Sequence, residues 1–381
     1  MDKFQNKLNF NFGINQQIIK KISFIDSFRG KWNLVEQKEN NYLKELRRIA
    51  TIESIGSSTR IEGVQLTDNE IKELLENMEI TKLVTRDQQE VVGYYDVLEI
   101  IYESYSDIRI SQNYIQQLHQ RLLKYSKKDD RHRGNYKNLS NKVVANYPDG
   151  TQKVIFNTTE PHLVESEMNE LIDWTNQELE KNEIHQLVII ALFIYEFLSI
   201  HPFQDGNGRL SRLLTNLLLL KNDYQFIQYV SFENLIEQKK KTYYEALMDG
   251  QKDRNTENEN INAWVLFFLD SLETLIHRLE QKYDLFKSKG GYLSERQKKI
   301  MDFISSNQPI KLTDLVLAMP EISSHTLKKD LLYLKTARTV HRSHHHACHG
   351  HPQAGRSYQV DCRYGMAQEQ GVHDGTCPPI S

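Results

Sequence analysis

The stretch "HPFQDGNGRLSR", residues 201 to 212, places a histidine, a carboxylate, a Gly-Asn-Gly and two arginines within twelve positions, directly after an apolar run. Gly206, Asn207 and Gly208 fall where a loop enters a helix. Unsatisfied backbone N–H groups are exposed there at the positive end of the helix dipole, and glycines allow a ligand to approach the backbone closely, so the position suits a phosphate. Arg209 and Arg212 stand three apart on the following helix, share a face, and can grip a polyphosphate with planar forked donors. Asp205 offers the hard oxygen that suits Mg²⁺, the ion a nucleotide polyphosphate brings with it. His201 has the ordinary pKa of a general base near neutrality. Together they can hold a metal-bound nucleotide and deprotonate an incoming hydroxyl. Alone, each has a plainer reading: the histidine as a helix cap, the glycines as a turn, the arginines as a solvated face. Their contiguity carries the functional reading.

The elements that must position this stretch are helical. "NYLKELRRIATIESIGSSTRIEGVQLTDNEIKELLENM" reads as helix, break at "EGVQL", helix, with Thr67 as N-cap and Glu70 in the capping-box position. "VVGYYDVLEIIYESY" and "SQNYIQQLHQRLLKYS" are two further amphipathic segments. Between 138 and 160 the β-prone runs "KVVANY" and "QKVIF" flank Pro148, Asp149 and Gly150, a turn sequence, and predict a hairpin among helices. "HQLVIIALFIYEFLSI" is apolar on nearly every side, as the central helix of a bundle must be, and "GRLSRLLTNLLLLKN" starts inside the opening stretch. After the polar loop 249–262 a last core helix runs to Gly290 and Gly291, a boundary signal.

At 381 residues, with 39% apolar and 10% aromatic content, the chain has room for two or three ordinary globular domains. A net charge of -3 gives no global attraction to nucleic acid or anionic lipid, and no apolar run is long enough for a membrane span or a signal peptide. A cytoplasmic protein without a membrane partner is expected. Cys348, Cys362 and Cys377 all lie near the C-terminus, which excludes a disulfide framework in the body. From about residue 337 the composition turns abruptly to His, Cys, Gly and Ala without helical period, as a changed reading frame would produce, and "HHHACHGH" lacks the paired spacing of a structural zinc site.

"HPFQDGNGRLSR" resembles the signature of the Fic family, His-Pro-Phe-x-(Asp/Glu)-Gly-Asn-Gly-Arg-x-x-Arg, at every defined position, and "SNKVVANYPDGTQKVIFNT" is similar to the family's flap. The resemblance implies a mainly α fold, a Fic-type helical core with an inserted β-hairpin flap. It also implies a protein adenylyltransferase, which moves AMP from ATP to a Tyr, Thr or Ser hydroxyl of a target protein and releases pyrophosphate. His201 would be the base and Asp205 the Mg²⁺ ligand. Gly206, Asn207, Gly208, Arg209, Leu210, Ser211 and Arg212 would form the ATP-binding stretch. Tyr243 and Tyr244 of "KTYYEAL" would face the nucleotide, although adjacent helical residues point about 100° apart and one of them can equally be core. Where some relatives have an asparagine eight residues after the first tyrosine, this chain has Gln251.

"SSTRIEG" resembles the family's inhibitory motif, (Ser/Thr)-x-x-x-Glu-(Gly/Asn). Four apart on a helix, Ser58 and Glu62 share a face, so the serine can orient the carboxylate. By resemblance Glu62 pairs with Arg212 and keeps it from the γ-phosphate. "KLTDLVLAMPEISSHTLKKDLLYL" resembles the winged-helix modules that close this kind of chain, with Ser323 as N-cap and His325, Lys328 and Lys329 as the candidates for DNA phosphate contact. The expected division is a helical region with the inhibitory motif at 1–105, a Fic core at 106–288 with the flap at 140–158, a winged-helix-like module at 292–360 and a tail at 361–381. The leading reading is a self-inhibited protein adenylyltransferase. The alternatives are a DNA-binding regulator whose core senses nucleotide and an enzyme that removes AMP from modified proteins. A homodimer is a further partner the sequence leaves open.

Overall fold

The structure is a computed structural model. It describes all residues except 1–2, 37–39, 78–82, 147–151, 289–294, 308–309, 337–339, 344–356 and 361–381. The hairpin turn at Pro148 to Gly150, the Gly290-Gly291 boundary signal, the three cysteines, the histidine-rich run and the tail lie outside the described residues. The chain forms two compact units, Met1–Leu279 and Glu280–Ser381.

In the first unit the order is α1 (Lys3–Lys7), α2 (Phe12–Glu36), α3 (Asn40–Ile61), α4 (Asp68–Glu76), α5 (Arg86–Ser104), α6 (Gln112–Leu122), strands β1 (Lys142–Asn146) and β2 (Gln152–Asn157), α7 (Pro161–Lys181), α8 (Gln186–Ile200), α9 (Asn207–Lys221), α10 (Phe232–Gln238), α11 (Lys240–Gln251) and α12 (Asn262–Ser288), within which this unit ends at Leu279. Every residue of α8 from Leu187 to Ile200 is buried, so the helix read as apolar on all sides is the centre of the bundle, packed by α7 and α9. Trp264 of α12 adds a buried hydrogen bond, Nε1 donating to Ala191 O at 2.7 Å. Glu196 is the one carboxylate inside α8. It is neutralised by Lys7 of α1 and by Arg254 at 2.8 Å. A buried charge needs such partners, and the short first helix is tied to the core by supplying one of them.

The N-terminal signals form as the sequence predicts. Thr67 accepts from Glu70 N–H while the Glu70 carboxylate accepts from Thr67 N–H, a complete capping box. The hairpin is antiparallel, pairing Lys142 with Asn157 and Asn146 with Gln152, with a register shift between Val143 and Val144 that fits a bulge and the added local twist a bulge brings. β2 runs beside α11.

The second unit holds α13 (Glu295–Asn307), β3 (Ile310–Lys311), α14 (Leu312–Ala318), α15 (Ser324–Thr336), β4 (Val340–Ser343) and β5 (Ser357–Val360). The antiparallel sheet has the order β3-β5-β4, and the helices close over Ile300, Ile304, Leu315, Leu327 and Leu331. Ser323 caps α15 by accepting from Thr326 N–H at 3.2 Å. β4 and β5 lie where composition alone suggested no structure. Their backbone groups are satisfied by pairing with one another and with β3, which a local reading cannot see. Among the described residues no helix is long and apolar enough to cross a membrane.

Candidate active site at the start of α9

The loop from α8 to α9 carries the candidate residues, and the chain bends sharply to form it. His201 is the C-cap of α8 with φ 53° and ψ 61°, a left-handed conformation that a non-glycine residue adopts at a cost of about 1 kcal/mol or more. Strain of this kind persists only where surrounding contacts over-determine it, and they do. Lys137 donates Nζ to Thr158 Oγ1 at 2.7 Å, Asn141 Oδ1 at 2.9 Å and Ile200 O at 3.2 Å, and its backbone N–H reaches Pro202 O at 2.9 Å. Asn141 Nδ2 donates to Phe203 O at 3.0 Å. The base of the hairpin therefore grips both sides of His201.

The His201 ring has a defined tautomer. Nδ1 lies 3.3 Å from Leu198 O, and a carbonyl only accepts, so Nδ1 carries the hydrogen and Nε2 keeps its lone pair. Burial, with a contribution from the Lys137 charge, lowers its pKa to about 4, so the ring is neutral at pH 7. A neutral imidazole with an open Nε2 is a base ready to accept a proton.

A second histidine holds the other end of the loop. His119, fully buried on α6, accepts Gly134 N–H at Nδ1 (2.9 Å), donates Nε2–H to Asp205 O (2.9 Å) and stacks on Phe203 at 3.8 Å. Burial lowers its pKa to about 4, which keeps it in the neutral form this pairing requires. Asn207 turns its side chain back into the loop: Oδ1 accepts from Phe203 N–H at 2.9 Å and Nδ2 donates to Phe203 O at 2.7 Å. Its side chain is thus a brace, while Gly206 at φ 79° begins α9 without any side-chain cap. The start of this 15-residue helix thus has no side-chain cap, and uncapped first-turn N–H groups are the arrangement that binds an anion.

The two arginines diverge. Arg212, 3% exposed, donates Nε to Ser58 Oγ at 2.8 Å and Nη2 to Ser58 O at 3.0 Å and Glu62 Oε1 at 2.8 Å. Arg209, 1% exposed, instead meets Glu90 Oε2 at 3.0 Å and Asp205 Oδ1 at 3.2 Å. Three apart on α9, the two arginines take different partners: Arg209 pairs with Glu90 of α5 and with Asp205, and Arg212 with Ser58 and Glu62 at the end of α3, while both act on the Glu62 carboxylate. Leu210 is fully buried, with its N–H given to Gly206 O, and the Ser211 hydroxyl donates to Gly208 O at 2.8 Å.

Glu62 sits one residue past α3, in the turn closed by its own N–H to Thr59 O at 3.1 Å. Its carboxylate reaches over the first turn of α9: a Cβ at Gly208 would collide with Glu62 Oε1 and crowd Arg212 Nη1 at 3.3 Å. Glycine at 208 is what lets the carboxylate lie there. Burial pushes the Glu62 carboxyl up, but Arg212 and Arg209 outweigh it and hold it below the usual range. The α3 end is pinned by Arg60, which pairs with Glu237 at 2.8 Å and Asp68 at 2.8 Å, and by Lys240 Nζ, which donates to Ile61 O at 3.0 Å.

Tyr243 is buried with its ring 5.1 Å from Tyr244 and 5.5 Å from Trp264, and burial raises the pKa of both tyrosine hydroxyls. Gln251 is turned inward instead, Nε2 donating to Ser199 Oγ at 2.9 Å. Sequence reading passed over His119, Lys137, Glu90 and Arg86. His119 occupies an apolar helix face among Ile115, Leu118 and Leu122, the pattern of a core histidine, and nothing in that spacing reveals that its partners are loop backbone.

Residues 109–219 match the Fic/DOC family. This part of the chain is a Fic domain. Over 207 residues, 54% of the chain, it is 28% identical to Protein adenylyltransferase Fic of Drosophila mojavensis and of Drosophila melanogaster, and the matched parts span 38% and 39% of those proteins. The chain thus spans about two-fifths of the length of these relatives. Among solved structures, a Fic family protein from Desulfovibrio desulfuricans G20 superposes with a TM-score of 0.64 at 21% identity, covering 91% of this chain and 96% of that one. A Fic domain containing signaling protein from Bacteroides thetaiotaomicron superposes at 0.55 with 24% identity, covering 68% and 97%. The Fic domain's helical fold agrees with the mainly α architecture and the flap hairpin expected from the sequence.

Proposed function

We propose that the chain is a protein adenylyltransferase held in check by Glu62. The observation that carries this reading is the conjunction, in one short loop, of a neutral histidine whose Nδ1 is engaged by Leu198 O and a helix start, at Gly206, without any side-chain cap. In the reaction, His201 Nε2 takes the proton of a target Tyr, Thr or Ser hydroxyl as its oxygen attacks the α-phosphorus of ATP. The bond to the β-phosphate breaks, pyrophosphate leaves, and AMP remains as a phosphodiester on the target. The N–H groups of α9 stabilise charge that builds on the phosphate oxygens. Tyr243 and Tyr244 flank the place of the nucleotide.

Asp205 fits a nucleotide-borne Mg²⁺. It is a single carboxylate, 37% exposed, held ionised against its partial burial by Arg209, the Gly206 N–H and Arg86, and a cation that arrives on phosphates and keeps its waters needs only one protein carboxylate. The ion would supply charge neutralisation at the phosphates. This chain's part is to hold Asp205, which it does through His119 on the carbonyl and Arg209 on the carboxylate.

The hairpin supports a docking role for the target, since two strands offer backbone edges for an extended segment. The order of helices and strands in Glu280–Ser381 supports the winged-helix reading of residues 292–360. His325, Lys328 and Lys329 are exposed on α15, which favours contact with a DNA backbone as a separate property of that unit. The cytoplasmic placement read from the sequence belongs to the same proposal.

The test is incubation with ATP labelled on the α-phosphate. The wild-type chain or a Glu62-relieved form should leave label on protein, and His201→Ala should leave none while binding ATP as before. Labelling by His201→Ala near the wild-type rate would remove His201 from the role of base.

A further inference from the structure

Arg86 opens α5 at the position where a cation works against the helix dipole, and the capping box of Thr85 and Gln88 fixes the helix start there. Its place is explained by what it touches. Nε donates to Glu90 Oε1 at 2.6 Å, and Nη2 reaches Asp205 Oδ2 at 3.3 Å. Arg209 meets the other oxygen of each of these carboxylates, at 3.0 and 3.2 Å. Arg86, Glu90, Arg209 and Asp205 therefore close a ring of alternating charge whose sum is zero. Its members are unequal: Arg209 and Glu90 are 2% and 6% exposed, Arg86 and Asp205 are 47% and 37%. The buried half is scaffold. The open half is an arginine resting on a single carboxylate oxygen.

That oxygen matters, because Asp205 Oδ1 already accepts from Gly206 N–H at 2.6 Å and from Arg209. Oδ2 is the atom left for a cation from solvent, and Arg86 is on it. A divalent ion and a guanidinium cannot share one outward oxygen without repulsion at contact distance. Arg86 can leave it without losing Glu90, since its Nε contact there is the shorter of the two.

We propose that Arg86 is a resident counter-cation that holds Asp205 until a nucleotide-borne divalent cation displaces it, and so sets how much of that cation the site requires. The inference rests on the reading of Asp205 as the metal carboxylate. Removing the charge at 86 leaves the ring with a net charge of -1 and should draw a cation more strongly; keeping the charge should preserve the competition. For a half-exposed pair the expected gain is about twofold to fivefold in affinity.

The experiment measures Mn²⁺ binding by the electron spin resonance of the free ion, in the presence of α,β-methylene-ATP, for the full chain and for Arg86→Gln, Arg86→Lys and Asp205→Asn, with thermal unfolding as a control of folding. The expected result is tighter Mn²⁺ binding by Arg86→Gln, near wild-type binding by Arg86→Lys and weaker binding by Asp205→Asn. Unchanged or weaker binding by Arg86→Gln overturns the displacement, as does tightening by Arg86→Lys equal to that by Arg86→Gln. Equal binding by wild type and Asp205→Asn removes the metal role from Asp205 itself, a failure distinguishable from that of Arg86.

Discussion

Replacing Glu62 by glycine should speed AMP transfer about tenfold, read as self-modification when no target is present. Arg212 donates to Glu62 Oε1 at 2.8 Å and cannot present the same edge to a γ-phosphate. A charge-assisted hydrogen bond of this kind is worth about 1.5 to 3 kcal/mol when well buried. The Glu62 side chain is still 35% exposed, so solvent screening puts it at the lower end, and about 1.5 kcal/mol realised only in the productive state is roughly one power of ten in rate. Sterics act in the same direction, since the carboxylate lies over Gly208 where a phosphate would meet the N–H groups of α9. Arg212→Ala should be inactive with or without Glu62, because the group that inhibition sequesters is needed for the reaction. Initial rates of label transfer from α-labelled ATP for wild type, both single variants and the double variant decide the matter. A Glu62→Gly protein no faster than wild type, or an active double variant, would refute the reasoning and leave "SSTRIEG" as a helix end packed on α9.

Three further outcomes follow from titratable groups the fold has buried. The acid limb of kcat/KM should fall near pH 4 rather than 6.5, since His201 is lowered to about 4 and must be neutral to act; a midpoint at 6.5 would show that the ring is not desolvated in the free enzyme. The same sign applies to stability: with His119 and His201 both at about 4, the unfolded chain binds more protons than the native one between pH 6.5 and 4, so stability falls as pH falls through that window. Lys7→Met should cost about 3 kcal/mol in denaturant unfolding, because Lys7 is 6% exposed and bridges Glu196 and Glu259, and removal of one partner leaves buried carboxylate charge undercompensated. A loss below about 1 kcal/mol would mean that water replaces the ammonium there.

What the sequence made legible was whatever is encoded over a few adjacent residues. The capping box at Thr67 and Glu70, the all-round apolar α8, the glycine start of α9 and the two hairpin strands each depend on neighbours within about one or two turns, and each forms as expected. The candidate residues of the loop were legible for the same reason, since His201 to Arg212 is one contiguous stretch. Fates decided by distant partners were not. Spacing puts Arg209 and Arg212 on one face, and the fold then gives each its own carboxylate, Glu90 of α5 and Glu62 just past α3, residues 119 and 150 positions away. Asn207 reads as a phosphate ligand beside two glycines and is spent on the Phe203 backbone. His119 reads as core and holds the carbonyl of Asp205.

These long-range pairings share a cause. The loop strain at His201 and the open N–H groups at Gly206 to Gly208 are unfavourable by themselves, so the fold must offset them with long-range contacts, and side chains with ordinary local patterns are recruited for it. The residues that do chemistry announce themselves by type and contiguity. Those that hold them do so only by where the helices bring them, which is why Lys137, His119 and Arg86 became visible only once α5, α6 and the hairpin base were placed around the loop.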